Sequence, residues 1–267
     1  MQFTKGHGTR NDFVVVPDLD DRLQLSDAEV QAICDRRSGI GADGILRVVR
    51  GSAAGRAGDA PWFMDYRNAD GSTAEMCGNG IRVFGRYLVD TGLAEPGRLL
   101  VDTRDGVKKL DVPPVGDVTV GMGEPQRRPD AKVRIAGEWV AAAGWSMGNP
   151  HLVVTDVDVD SADLSTVPEV DPADAYPDGV NVEVVELVTP SGIRMRVHER
   201  GVGETQSCGT GACAAAVAVM ATRDQRTTYD VDVPGGRLSV KWCDGGQVLL
   251  TGPAVLVASG EYRRDRT

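Results

Sequence analysis

The sequence lacks any block of lysine or arginine. Its 29 basic residues are outnumbered by 39 acidic ones, for a formal net charge of −10, so it offers no electrostatic footprint for nucleic acid or an anionic membrane. Any anion site must be local. Long hydrophobic runs are missing too: Met1 to Gly8 has no apolar core of the signal-peptide kind, and the longest small-apolar run, Ala212 to Ala221, is too short to span a bilayer. A cytoplasmic protein with no membrane or nucleic-acid partner is expected. Cysteine is scarce and odd in number, Cys34, Cys77, Cys208, Cys213 and Cys243, with no Cys-x-x-Cys pair, and the three histidines have no zinc-finger spacing. These counts argue against a disulfide framework and against a structural zinc.

What is present is a repeated motif. Ser207-Cys208-Gly209-Thr210-Gly211 precedes the small-apolar run, and Met76-Cys77-Gly78-Asn79-Gly80 repeats Cys-Gly-x-Gly ahead of a second helix-like stretch, Ile81 to Leu88. Glycines beside each cysteine let backbone approach a ligand closely. A helix opening there aims unpaired N–H groups and a partial positive charge at the same spot, which suits a carboxylate and favours a thiolate. Either copy alone reads more readily as a buried cysteine in a glycine turn; the pair is what argues for function. The 267 residues are enough for one large domain or two smaller ones, and two duplicated halves fit.

Along the chain, residues 2–4 and 13–16 predict strands around a polar loop, Lys5 to Asp12. Ser26 with Glu29 is a capping-box signature, and Val30, Ile33 and Cys34 form an apolar helical stripe, which makes Cys34 a core residue. Gly39-Ile40-Gly41-Ala42-Asp43-Gly44 has G-x-G-x-x-G spacing, but it follows a helix and precedes a strand, Ile45 to Val49, the reverse of a dinucleotide fingerprint. A mobile surface insertion is expected at 51–60, strands at 62–66, 99–101, 107–110 and 118–120, and a linker at Glu124 to Pro129.

The second half predicts strands near 132–135, 138–143 and 152–154, then an acidic solvated loop over 156–178 with room for one short helix. Residues 180–184 and 193–197 alternate as half-buried strands. The helix after Cys208 is apolar on every side and should be buried all round, wrapped by sheet. Three strands end the chain. Each half thus runs strands, polar loop, Cys-Gly-x-Gly, helix, hairpin, a duplication that implies approximate two-fold symmetry with both thiols facing one cleft.

Two facing thiols suggest a reaction. With an amino acid's α-carboxylate across both helix N-termini, one thiolate removes the α-proton, the N–H groups stabilise the charge that develops, and the opposite thiol returns a proton to the other face. No metal, pyridoxal phosphate or nucleotide is required. One thiol and one thiolate must coexist, so the pair titrates as a unit.

These residues resemble the diaminopimelate epimerase family. The resemblance runs from His7-Gly8-Thr9-Arg10-Asn11-Asp12-Phe13 through Asn68-Ala69-Asp70-Gly71-Ser72, the first cysteine motif, Gly148-Asn149-Pro150-His151 and Gly179-Val180-Asn181 to Glu199-Arg200-Gly201-Val202-Gly203-Glu204-Thr205-Gln206-Ser207-Cys208-Gly209-Thr210-Gly211. It implies an α/β (α+β) fold of two pseudo-symmetric domains, each a mostly antiparallel or mixed sheet wrapped around a central buried helix. The implied division is 1–121 plus 254–267 and 122–253, with the active site between them. It also implies cofactor-free interconversion of LL- and meso-diaminopimelate, on the route to lysine and peptidoglycan, by a homodimer.

By the same resemblance Cys77 and Cys208 are the acid/base pair, and His151 and Glu199 tune thiol protonation. Substrate contacts fall to Asn11, Asn68, Asn149, Asn181, Glu199 and Arg200, with backbone at Gly78, Asn79, Gly209 and Thr210. Such groups suit a two-headed amino acid: carboxamides donate and accept, Glu199 meets an ammonium and Arg200 a carboxylate. The residues by themselves leave other readings open, since Asn11 and Asn68 sit in turn-like sequence where Asn bonds local backbone, and on local sequence His151 reads more readily as a structural histidine and Glu199-Arg200 as a solvated strand end. His198, Cys213 and Cys243 are expected to be structural. Where many family members carry a glutamine after Gly41-Ala42-Asp43, this chain has Gly44. A proline or hydroxyproline racemase and a non-enzymatic thiol redox sensor are the competing functional classes.

Overall fold

The chain opens with a hairpin whose strands, β1 (Gln2–Gly8) and β2 (Asn11–Pro17), come within two residues of each other. Thr9 and Arg10 both take left-handed backbone, φ 48° and 64°, the geometry of a tight hairpin turn whose twist matches its strands. Lys5 to Asp12 is therefore mostly strand rather than loop, and Gly8 pairs with Asn11. The computed structural model describes residues 1–56, 58–155 and 157–263. Ala57 in the expected insertion, Asp156 at the head of the acidic stretch, and 264–267 lie outside the described residues. The chain divides into unit 1, Met1–Val120 with the chain from Gly252 onward, and unit 2, Gly121–Thr251.

In unit 1, α1 (Asp27–Cys34) starts at the expected capping box: the Ser26 hydroxyl accepts from the Glu29 N–H, and the Glu29 carboxylate accepts from the Ser26 N–H. Its Val30, Ile33 and Cys34 pack with Val14, Val16 and Ile45. The Gly39–Gly44 stretch joins α1 to β3 (Gly44–Arg50), the context read from sequence. Then come β4 (Trp62–Asn68), α2 (Gly78–Asp90), β5 (Gly97–Thr103), β6 (Gly106–Val112) and β7 (Val118–Gly123). Strand pairing runs β1/β2 antiparallel, β2/β3 parallel, β3/β4 antiparallel, β4/β5 parallel, β5/β6 and β6/β7 antiparallel. Phe13 to Val16 are buried on both faces because α1 lies against one side of this sheet and α2 against the other.

Unit 2 contains β8 (Gln126–Arg127), β9 (Ala131–Ile135), β10 (Glu138–Ser146), β11 (Pro150–Val154), a 3-10 turn at Val159–Ser161, β12 (Val170–Asp171), β13 (Asn181–Thr189), β14 (Gly192–Glu199), β15 (Gly203–Thr205), α3 (Gly209–Thr222), β16 (Thr228–Val233), β17 (Gly236–Trp242) and β18 (Val248–Gly252). The main sheet repeats unit 1: β10/β11 antiparallel, β11/β13 parallel, β13/β14 antiparallel, β14/β16 parallel, β16/β17 and β17/β18 antiparallel. α3 sits within it, touching β10, β11, β13, β14, β16 and β17, and every residue from Gly211 to Met220 is buried. Each unit is thus a mixed sheet around a buried helix.

Four expectations need correction. Glu124 to Pro129 is no free linker, because Gln126 and Arg127 pair with Ser146 and Trp145, and the Arg127 guanidinium stacks 4.8 Å over the Trp145 ring. The acidic stretch is not wholly solvated: Val159, Ala162 and Leu164 are buried in a cluster with Leu152 and Val182. Among the described residues four strands, not three, follow α3, because the closing strand Val255–Glu261 returns to pair antiparallel with β1. Residues 181–185 are buried on both faces rather than half-buried, since α3 covers the side that carries Asn181 and Glu183.

Candidate active site

Strand register fixes which positions of the two units correspond. Phe13 pairs with Gly44 across the parallel β2/β3 ladder, and Gly44 with Asn68 across β3/β4. His151 pairs with Asn181 across β11/β13, and one step along β13/β14 from the Val182–His198 pair stands Glu199. Asn11, Phe13, Gly44, Asn68 and Cys77 are therefore the counterparts of Asn149, His151, Asn181, Glu199 and Cys208. All but Phe13 and Gly44 are residues that the sequence singled out, and they stand at strand ends and helix starts, where side chains and backbone N–H groups are open to a ligand.

Each cysteine is a helix N-cap. Cys77 is extended (φ −138°, ψ 122°) and its sulfur accepts from the Gly80 N–H at 3.4 Å; Cys208 (φ −118°, ψ 119°) does the same with Gly211 at 3.4 Å. A sulfur in the capping role takes up an N–H that the helix cannot satisfy. Cys34 and Cys213 are buried as core residues, and burial pushes the Cys34 thiol up to about 11.

In unit 1 the thiol of Cys77 donates to Oδ1 of Asn11 at 3.5 Å, and the Asn79 amide donates to the same oxygen at 3.2 Å. Asn11 in turn donates to Asp43 at 2.7 Å. Asp43 is held by Arg36 at 2.6 Å and by the Asp12 N–H at 3.1 Å. Asn68 bonds locally, to Ser72 Oγ at 3.0 Å, which is the turn role its sequence context allowed. The Asn79 side chain is buried, so its carboxamide orients Asn11 while its backbone opens the helix. At Gly44, an added Cβ would run into the Arg67 carbonyl and come within 2.8 Å of the Tyr66 ring; the backbone here is packed for glycine.

In unit 2, His151 is fully buried, with Nδ1 2.7 Å from Glu183 Oε1 and Nε2 2.9 Å from Asn149 Oδ1. Asn181 accepts from the Arg200 N–H at 2.8 Å, fixing the strand end, while the Arg200 side chain is exposed and donates to the Asp178 carbonyl at 3.1 Å. Glu199 accepts from the Thr205 hydroxyl at 2.5 Å, and Thr210 Oγ1 lies 3.4 Å from the Cys208 sulfur. Burial raises the Glu199 carboxyl above its ordinary range, against hydrogen bonds from Thr205 and Cys208 that pull it down.

The Cys208 thiol is pushed well up by burial, then by the negative charges of Glu199 and Glu183, with the Thr210 hydroxyl and the Gly211 N–H opposing. At this cysteine desolvation outweighs the helix N-terminus, contrary to the lowering expected from the motif alone. His198 is structural as expected, buried with Nδ1 2.9 Å from the Leu164 carbonyl. Among the described residues no group of three or more His, Cys, Asp or Glu is arranged to hold a metal ion, and no helix is long and apolar enough to cross a membrane. Sequence reasoning missed Asp43, Glu183 and Thr205. The one signal for Glu183 was its two-residue spacing from Asn181 on the polar side of an alternating strand.

A family profile described as diaminopimelate epimerase matches residues 3–128 and 145–257. A curated diaminopimelate epimerase of Acidothermus cellulolyticus is 52% identical over 97% of this chain and 95% of its own length, and one of Streptomyces coelicolor is 53% identical over 98% and 95%. Among solved structures, a phenazine biosynthesis protein of the PhzF family from Bacillus anthracis superposes with TM-score 0.73 at 18% identity, covering 99% of each chain. A hydroxyproline epimerase from Agrobacterium vitis gives 0.68 at 14%, covering 97% of this chain and 91% of its own. At those identities the likeness concerns the fold.

Proposed function

The chain belongs to the diaminopimelate epimerase family, and on that footing we propose that it interconverts LL- and meso-2,6-diaminopimelate, in the cytoplasm, with Cys77 and Cys208 as the two acid/base groups. The observation that carries the reading is the repeat itself: in each unit a cysteine caps a buried helix at the same place in the same strand order. An α-proton removed on one face and replaced on the other needs two such groups, and two equivalent caps supply them. The reading requires that both half-sites address one α-carbon.

The helix openings at Gly78-Asn79-Gly80 and Gly209-Thr210-Gly211 present backbone N–H groups to the reacting carboxylate, where negative charge grows as the α-proton leaves. Asn11, Asn68, Asn149 and Asn181, with Glu199 and Arg200, hold the non-reacting end. The exposed Arg200 guanidinium is free to turn from the Asp178 carbonyl to a carboxylate, with which it pairs bidentately. The raised carboxyl of Glu199 beside Cys208 gives that thiol a neighbour able to hold its proton. The chain's own residues supply every group in this scheme, and we infer a homodimer from the family.

The test is proton NMR of the reduced protein with LL-diaminopimelate in deuterium oxide. The α-proton signal should disappear as meso isomer accumulates; persistence of the signal with thiols titrated as free would sink the assignment. Exchange of proline or hydroxyproline instead would move the chain to the racemase class.

A further inference from the structure

Asp43, the residue before β3, joins three parts of unit 1. Its N–H donates to the Asp12 carbonyl at 2.9 Å and its carbonyl accepts from the Ala69 N–H at 3.1 Å, which ties the start of β2 to the turn that follows Asn68. The two oxygens of its carboxylate have separate partners. Oδ1 accepts from Arg36 at 2.6 Å, whereas Oδ2 accepts from the Asp12 N–H at 3.1 Å and from the Asn11 amide at 2.7 Å. In unit 2 the equivalent place, one residue before Asn181, is held by Val180. The repeated fold therefore does not demand an acid here.

A carboxamide carries a donor and an acceptor on nearly the same shape, so its neighbours decide which way it points. A carboxylate only accepts, and Asp43 must face the nitrogen of Asn11. The Asn11 oxygen is thereby turned towards α2, where it accepts from the Cys77 thiol at 3.5 Å and from the Asn79 amide at 3.2 Å. Both acceptor sites of that oxygen and one N–H are then in use, and the second N–H of Asn11 has no partner among the described residues. Reversed, the amide would lose its bonds to Asp43 and Asn79 and set nitrogen against nitrogen.

We propose that Asp43 is a positioning residue: it locks the Asn11 carboxamide with the oxygen on the Cys77 side and one N–H left for a ligand, so that Asn11 meets the substrate as a hydrogen-bond donor. Arg36 holds the carboxylate in place and is also bidentate on Asp12, at 3.0 and 2.7 Å, so it keeps a partner when Asp43 is replaced. What Asn11 requires from position 43 is an acceptor rather than a charge. The inference rests on the proposed epimerase reading, in which Asn11 contacts the substrate.

Asp43→Val copies unit 2 and removes the acceptor, whereas Asp43→Asn removes the charge and keeps an oxygen for Asn11. With LL-diaminopimelate, KM should rise about tenfold in Asp43→Val, the scale of one hydrogen bond, with kcat within about threefold. Asp43→Asn should bring KM back to within about threefold of the parent's. In an Asn11→Ala background Asp43→Val should add less than about twofold, because its effect passes through Asn11. A readout without substrate accompanies this: in nitrogen-15 NMR of asparagine-labelled protein, with Asn11 assigned by its loss in Asn11→Ala, one of the two Asn11 amide protons should lie downfield in the parent and in Asp43→Asn, and return to the position of a free amide in Asp43→Val. The proposal is overturned if Asp43→Val keeps the parent's KM, if Asp43→Asn raises KM as far as valine does, or if the loss is undiminished in Asn11→Ala. It is equally overturned if the parent's Asn11 amide shows no shifted proton, a result that needs no variant at position 43 to fold. Should the parent fail to invert diaminopimelate at all, the proposed function falls while the Asn11 amide still decides the role of Asp43.

Discussion

Asp12, next to Asn11, is held by Lys5 at 2.5 Å and by both terminal nitrogens of Arg36, at 3.0 and 2.7 Å. Burial would raise its carboxyl, but hydrogen bonds from Arg36 and Lys5, with the charge of Lys5, outweigh burial and lower it from 3.8 to about 2. A depressed carboxyl stabilises the fold above its unfolded value, and the contribution is lost as pH falls from 3.8 through about 2. Asp12→Asn should therefore cost about 2 kcal/mol at pH 7, with the gap to the parent closing in that acid window in urea titrations. Glu199 has the opposite sign. Its raised carboxyl favours the folded state only while protonated, so stability falls as pH rises above the ordinary 4.5. Glu199→Gln should melt higher than the parent at pH 7, lose that advantage below pH 4.5, and lose inversion activity; a lower Tm at pH 7 would mean that the Thr205 bond outweighs burial. Neither sign can be read from the sequence, where both are acids at strand ends, because the sign depends on which groups the fold brings within reach.

At the scale of elements, helix starts were the most legible features. The Ser26–Glu29 capping box and the two Cys-Gly-x-Gly starts announce themselves because a cap is a local transaction between residues three apart. The first hairpin was legible as two strands but its tight turn was not, since that turn uses Thr9 and Arg10 in left-handed backbone where glycine or asparagine is the usual signal. β13 was read as half-buried because alternation reports one apolar face, and only the fold reveals that α3 covers the other. Gly44 belongs to this scale too: its closeness to the Arg67 carbonyl and the Tyr66 ring leaves no space for a side chain between β3 and β4. Gly44→Ala should destabilise unit 1 by about 2 kcal/mol, as overpacking against a neighbouring strand does, and a calorimetric Tm equal to the parent's would show that the ladder yields instead.

For the whole molecule, one topology used twice explains why the motifs recur at matching intervals. From Cys77 and Cys208 backwards, each unit meets the end of one strand, the start of the one beside it and the start of a third, and the polar residues at those three places are the ones with chemistry to offer. The sequence shows the repeat through its cysteine motifs, yet it conceals the way the repeat has diverged, with Phe13 and Leu46 in one unit and His151 and Glu183 in the other. Divergence of this kind suits a reaction whose two thiols begin in different protonation states, a difference that sequence symmetry cannot express. Membership of the diaminopimelate epimerase family, at about half identity over nearly the full chain, supplies the substrate; the repeated cap supplies the reason for two cysteines.

The measurement that bears most directly on this account is inversion of LL-diaminopimelate by Cys77→Ala and by Cys208→Ala, each reduced and checked for an unchanged fold by circular dichroism. Loss of an acid/base group lowers the rate by about 100-fold or more, and the account predicts that either substitution alone does so. Full inversion by either variant would contradict a mechanism that depends on both thiols.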